Sequence, residues 1–143
     1  MLRGSCLCGN VSFELDAAAI VLFNNCFCSR CRKNTGSGNT AQLQVLAHGF
    51  RWLSQAEEVS VYESSPGVQR AFCRTCGSRV PRPNMPSNLV AVPAGTLDED
   101  PGVRPQINMH TANRPGWAVM DRSIANLPGQ GSEAFWRSFM QEQ

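Results

Sequence analysis

Val11, Phe13 and Leu15 alternate with Ser12 and Glu14 directly after Gly9-Asn10, the period-two pattern of a half-buried strand following a turn. Ile20-Val21-Leu22-Phe23 is a short apolar run into Cys26, and Asn34 to Asn39 is rich in glycine and small polar residues, so the chain between them reads as a strand passing into a loop. Further strands are expected over 42–46, 50–53, 59–62, 68–72 and 89–92, separated by turn signals such as Ser65-Pro66-Gly67. Eight of the nine prolines fall between Pro81 and Pro128, which argues against long helices there and for extended segments joined by rigid turns. The one helix expected is terminal, over 132–142. Ser132 is its cap, and Phe135, Trp136, Phe139 and Met140 recur at helical spacing to form an apolar face for packing on the sheets. The pattern as a whole predicts an all-β fold closed by a short helix. At 143 residues and 42% hydrophobic, without a long linker or an internal repeat beyond recurring cysteine pairs, residues 1–143 are expected to form one domain.

The cysteines change this picture from a generic β domain to a metal protein. All seven lie in three knots, Cys6-Leu7-Cys8, Cys26-Phe27-Cys28-Ser29-Arg30-Cys31 and Cys73-Arg74-Thr75-Cys76. Thiolates this close in sequence can converge on one tetrahedral ion, whereas disulfides join distant residues, and an odd count also disfavours a disulfide framework. Cys6, Cys8, Cys73 and Cys76 can make a closed four-thiolate shell, which is structural in character. Cys26, Cys28 and Cys31 then supply three thiolates from one loop and leave a fourth position open, as catalytic zinc is held. Other partitions exist, such as the middle knot borrowing a cysteine from elsewhere, but they leave lone thiols.

Charge matters by its position. The net charge of +2 does not imply a nucleic-acid or membrane partner, and there is neither an apolar signal region after Met1 nor a stretch of about 18 apolar residues, so the expectation is a cytoplasmic protein. Twelve of thirteen basic residues are arginine, and Arg30, Arg32, Lys33, Arg70, Arg74, Arg79 and Arg82 sit in or beside the knots. Most would offset the negative charge of zinc–thiolate centres, while Arg30, Arg32 or Lys33, beside the open site, can also receive an anionic substrate.

In order and spacing, Gly4-Ser5-Cys6-Leu7-Cys8-Gly9 with Val11 and Phe13, Cys26 to Lys33, and Arg70 to Ser78 resemble the glutathione-dependent formaldehyde-activating enzyme family. The run Val92-Pro93-Ala94-Gly95-Thr96-Leu97-Asp98 and the Trp117 segment extend the similarity over about residues 2–128. The resemblance implies a β-tent of stacked antiparallel sheets. It also implies a structural zinc on Cys6, Cys8, Cys73 and Cys76 and a catalytic zinc on Cys26, Cys28 and Cys31. The implied activity is that of a carbon–sulfur lyase, the reversible condensation of formaldehyde with glutathione to S-hydroxymethylglutathione. Its partners would then be a small thiol such as glutathione and a small carbonyl compound, with Arg30, Arg32 and Lys33 as candidate partners for the two glutathione carboxylates.

Two positions depart from the family pattern. Phe27 stands where many relatives carry histidine in the middle knot, and Asn108 stands where a histidine often precedes the later tryptophan. Neither is a zinc ligand in this scheme. His110 lies near enough in sequence to substitute, whereas His48, before Gly49, reads as a turn residue. A second hypothesis keeps the fold without catalysis: a zinc module that binds a protein, its middle knot closed by a residue such as His110 or by another chain. Nucleic-acid recognition is the least favoured, because the arginines form no basic stripe with exposed aromatics.

Overall fold

The computed structural model describes residues 1–85 and 88–142. Pro86, one of the eight clustered prolines, and Gln143, the last residue of the expected domain, lie outside the described residues. Among the described residues, eleven strands make three sheets. Strands β1 (Leu2–Ser5), β2 (Ser12–Leu15) and β5 (Phe50–Trp52) form an antiparallel three-stranded sheet. Strands β3 (Ile20–Cys26), β4 (Thr40–Leu46), β8 (Arg82–Met85), β9 (Leu89–Pro93), β10 (Ile107–Met109) and β11 (Ala125–Leu127) form a six-stranded sheet in the order β11-β10-β3-β4-β9-β8. Strands β6 (Val59–Ser65) and β7 (Val68–Cys73) make an antiparallel hairpin across Pro66-Gly67. This is the expected all-β, β-tent arrangement of antiparallel sheets. It has an addition that alternation cannot reveal: β10 runs parallel to both β3 and β11.

The alternation read at 11–15 exists because β2, the central strand of its sheet, turns one face to the main core. Phe13 and Leu15 are fully buried and join Phe23, Leu43, Val45, Val90 and Val92 in the main core, flanked by Phe50 and Trp52. The Phe13 ring stacks on Phe50 at 5.6 Å and meets Trp52 edge-on at 6.2 Å. That packing explains Gly4 on the neighbouring strand: a Cβ there would stand 2.5 Å from the Phe13 ring and 2.5 Å from the Thr96 carbonyl oxygen. On the opposite face of the six-stranded sheet, Leu22, Ile107 and Met109 pack with Phe139. Adjacent residues Leu22 and Phe23 thus serve different cores, as strand geometry requires.

The terminal helix forms over Glu133–Gln141, with the Ser132 hydroxyl accepting from the Phe135 N–H at 3.1 Å. Phe135, Trp136 and Phe139 pack against β10 and β11, whereas Met140 turns outward and is 42% exposed, so the apolar face is narrower than its sequence suggests. The other helix was not expected. Where the sequence reads as a loop, Ser29–Thr35 forms α1, and the terminal helix is therefore α2. The run Ser-Arg-Cys-Arg-Lys-Asn-Thr has no apolar period, so nothing in its hydropathy announces a helix. Its ends set it instead: Cys28 Sγ accepts from the Cys31 N–H at 3.3 Å, and Gly36 closes it in the left-handed conformation at φ 70°.

The proline-rich segment contains no α-helix among the described residues. Its strands β8, β10 and β11 were not legible, because each is three or four residues long and β8 contains Pro83. Proline is tolerated there because β8 is the edge of its sheet.

Candidate active site

The first and third knots meet where the β1–β2 turn reaches the end of β7. Cys6, Cys8, Cys73 and Cys76 bring their sulfur atoms within 4.8 Å of one another. Cys6 and Cys8 are 3.5 Å apart and Cys8 and Cys73 3.8 Å apart, against about 3.8 Å for sulfurs on one tetrahedral zinc with bonds of roughly 2.3 Å. The backbone bends to allow it, with Gly9 at φ 82° and Gly77 at φ 75°, and the Gly77 N–H closes the second turn on the Cys73 carbonyl at 2.9 Å. Hydrogen bonding from Ser78 holds the Cys76 thiol down at about 5, which favours the ligating thiolate. Cys6 and Cys73 are also core residues, buried with Val11, Ala71 and Val80.

The middle knot makes a second, separate group. Cys26 ends β3, Cys28 caps α1 and Cys31 lies in its first turn, with all three sulfurs within 4.8 Å of one another. Among the described residues, neither a cysteine from elsewhere nor a histidine or carboxylate joins them. The hydrogen bond shared with Cys26 brings the Cys31 thiol down to about 4, assisted by Cys28 and the Arg70 guanidinium against the opposing effect of burial. The same bond, with burial, pushes Cys26 up. The trio therefore presents a thiolate at neutral pH, and its donor set fits a metal held by three sulfurs.

These sulfurs open onto a cavity of about 400 Å³ between the six-stranded sheet and the β6–β7 hairpin. Asn24, Gln42 and Gln44 line it from β3 and β4, Arg70 from β7, Arg82 and Met85 from β8, and Arg30 from α1. Arg70 Nη1 lies 3.6 Å from Cys31 Sγ while its Nε donates to Ser64 Oγ at 3.1 Å, so a second hydrogen bond holds the cation beside the thiolate. Of the three basic residues singled out beside this knot, the exposed Arg30 reaches the cavity, whereas Arg32 and Lys33 do not line it. A second hollow of about 370 Å³ between α1 and Gly77-Ser78-Arg79 has no cysteine in its wall. Arg70 and Arg82 as cavity residues, and the pair Gln42 and Gln44, were missed as site residues. Gln42 and Gln44 carried a signal: they alternate with the core residues Leu43 and Val45 and so had to share the face opposite the core.

The two departures from the family pattern have structural explanations. Phe27 is fully buried, its N–H bonded to the Met109 carbonyl at 3.0 Å, so a hydrophobic anchor ties the knot to β10. Asn108 is fully buried between parallel strands: its Oδ1 accepts from Asn25 at 3.2 Å, and its Nδ2 donates to Asn126 Oδ1 at 2.9 Å and to the Asp121 carbonyl at 2.6 Å. Asn108→Leu is expected to cost about 1–3 kcal/mol by stranding these partners, read as a lower urea midpoint. An unchanged midpoint would show the ladder to be dispensable. His110 lines the cavity with its Nε2 3.0 Å from Gln130 Oε1 and does not belong to the sulfur group.

Fold and site together define an all-β protein with two cysteine groups able to hold metal ions, one a complete set of four and one a set of three at a cavity. The sequence profile of the "Glutathione-dependent formaldehyde-activating enzyme" family matches residues 1–113, and the chain belongs to that family. It is 33% identical over 158 aligned positions, covering 96% of this chain and 95% of the relative, to a Halomonas elongata protein named "Putative glutathione-dependent formaldehyde-activating enzyme". It is also similar to the crystal structure of a Rhodobacter sphaeroides protein, with a TM-score of 0.54 and 26% identity over 72% of this chain and 91% of that one. No helix among the described residues is long and apolar enough to cross a membrane.

Proposed function

We propose that residues 1–143 act as one cytoplasmic zinc-dependent carbon–sulfur lyase unit that condenses glutathione reversibly with formaldehyde or a similar small carbonyl compound. The observation that carries this reading is the three-sulfur group facing a cavity without a fourth protein ligand among the described residues. Cys6, Cys8, Cys73 and Cys76 hold the structural ion, and Cys26, Cys28 and Cys31 hold the reactive one. Cys26, Cys28 and Cys31 would hold a zinc ion that, when bound, would lower the pKa of a coordinated thiol and so favour a nucleophilic thiolate at neutral pH.

The chain's own residues supply the rest. Arg70 withdraws charge from Cys31 and fixes that ligand's direction through its second bond to Ser64. The cavity is within the usual size range for a small-ligand site, and its walls of β3, β4 and β8 are rigid strands. In the balanced reaction the glutathione sulfur bonds to the carbonyl carbon, the carbonyl π pair passes to oxygen, and the proton lost by the thiol ends on that oxygen. The protein-binding alternative requires the middle knot to be closed, and His110 stays apart from its sulfurs, which supports the catalytic reading.

The direct test is exchange NMR of formaldehyde and glutathione with zinc-loaded protein. Interconversion with S-hydroxymethylglutathione is expected to accelerate in proportion to protein and to fall to the buffer rate on chelation. A rate equal to that in buffer would reject it.

A further inference from the structure

The hollow between α1 and Gly77-Ser78-Arg79 is separate from the sulfur cavity and contains an arginine without a carboxylate partner. Its walls include Asn34, Asn39, Thr40, Ser78 and Arg79, and no acidic residue lines it. Among the described residues the ion pairs formed by arginine involve Arg51, Arg104 and Arg137, and Arg79 enters none. Its Nη1 donates to Thr40 Oγ1 at 3.4 Å, and that hydroxyl donates in turn to the Cys31 carbonyl at 3.4 Å. A guanidinium has five N–H groups, so most of its donors are left over. Arg79 Nε and Nη2 have no partner among the described residues and keep accessible surface, so a ligand can reach them.

Burial holds the Arg79 guanidinium below its usual value, and the attraction of Cys31 is opposed by the repulsion of Arg70 and Arg82. Arginine stays charged in spite of this. Arg70 already bonds Cys31 Sγ at 3.6 Å, so that thiolate is shared and the charge of Arg79 is only partly answered.

Both walls are held in place by the backbone around them. Arg79 bridges Phe72 of β7, the Cys73 N–H donates to the Ser78 carbonyl at 2.8 Å, and the Val80 N–H donates to the Ala71 carbonyl at 3.2 Å. Across the hollow, Thr35 Oγ1 donates to the Asn39 carbonyl at 3.2 Å and ties the entry of β4 to the end of α1. The Asn39 side-chain amide itself has no partner among the described residues and is also accessible.

We infer that this hollow binds a small oxyanion, a phosphate or carboxylate group, between the guanidinium of Arg79 and the amide of Asn39. The guanidinium fork presents N–H groups to two oxygens of such a group, and a carboxamide NH₂ adds a further donor. The site uses no cysteine and no residue of the proposed reaction, so it stands or falls apart from that function.

The test is ¹H–¹⁵N NMR of the zinc-loaded protein titrated with sodium phosphate, with sodium acetate and, at matched ionic strength, with sodium chloride. Phosphate or acetate should shift the Asn39, Gly77 and Gly95 amides saturably, half-complete at or below about 10 mM. The amides of Ser65, Val68 and His110, which line the sulfur cavity, should not follow. Saturation by phosphate alone would assign a phosphate group, and saturation by acetate as well or instead a carboxylate; either supports the inference. Arg79→Gln should weaken binding at least about tenfold, and Asn39→Ala, which removes an amide with no internal partner, at least about threefold. Shifts no larger than those with chloride, or shifts confined to the sulfur cavity, would overturn the inference. Unchanged affinity in either variant would do the same, and Asn39→Ala alone suffices should Arg79→Gln fail to fold.

Discussion

Cys76→Ser is expected to lower the melting temperature of the zinc-loaded protein by at least about 10 °C. Losing a structural metal ligand belongs to the small class of changes that cost more than about 4 kcal/mol, a large part of the 5–15 kcal/mol that stabilises an ordinary domain. The geometry explains why the effect spreads. Cys6 and Cys73 are themselves core residues, and their cluster otherwise contains Val11, Ala71 and Val80, with Trp52 and Val59 at its margin. Without the four-sulfur centre, the β1–β2 turn and the β6–β7 hairpin are left with little shared apolar surface. Differential scanning calorimetry of wild type and variant checks this, and equal melting temperatures would refute a structural role for the group.

Cys28→Ser is expected to do the opposite: to leave the fold in place and reduce glutathione–formaldehyde condensation at least about 100-fold. Changes one layer outside a metal's ligands already cost 10- to 100-fold, and the proposed function makes Cys28 one of the ligands themselves. The fold survives because serine serves the second role of Cys28. The cysteine sulfur caps α1 by accepting from the Cys31 N–H, and a serine hydroxyl is among the best groups for that position. Calorimetry and exchange NMR on the same sample therefore separate the two sites. Full activity in the folded variant would refute the catalytic placement of the middle knot.

What the sequence revealed depends on how each feature is encoded. The partition of cysteines was legible because ligand pairs are local, and the folded chain brings Cys6 and Cys8 to Cys73 and Cys76 while keeping Cys26, Cys28 and Cys31 apart. Strands with one face on the main core were legible for the same reason, since the apolar Phe13 and Leu15 alternate with the polar Ser12 and Glu14 on the other face. Helix α1 was hidden because its caps, rather than an apolar stripe, define it. Strands β10 and β11 were hidden because three-residue segments in a parallel arrangement have no period to show. The basic residues were legible in number but not in direction. Lys33 is a neighbour of Cys31 in sequence yet does not line the cavity, whereas Arg70, 39 positions away, touches the Cys31 sulfur. That contact exists because β7 folds over the cavity, and proximity along the chain does not encode it.

Whether the three-cysteine group binds a thiol through zinc is decided by zinc stoichiometry in protein purified without added metal, followed by X-ray absorption at the zinc edge as glutathione is titrated in. Two zinc ions per chain are expected, with an average sulfur coordination that rises with glutathione as the three-cysteine centre gains its fourth sulfur. One zinc per chain, with a spectrum indifferent to glutathione, would contradict it.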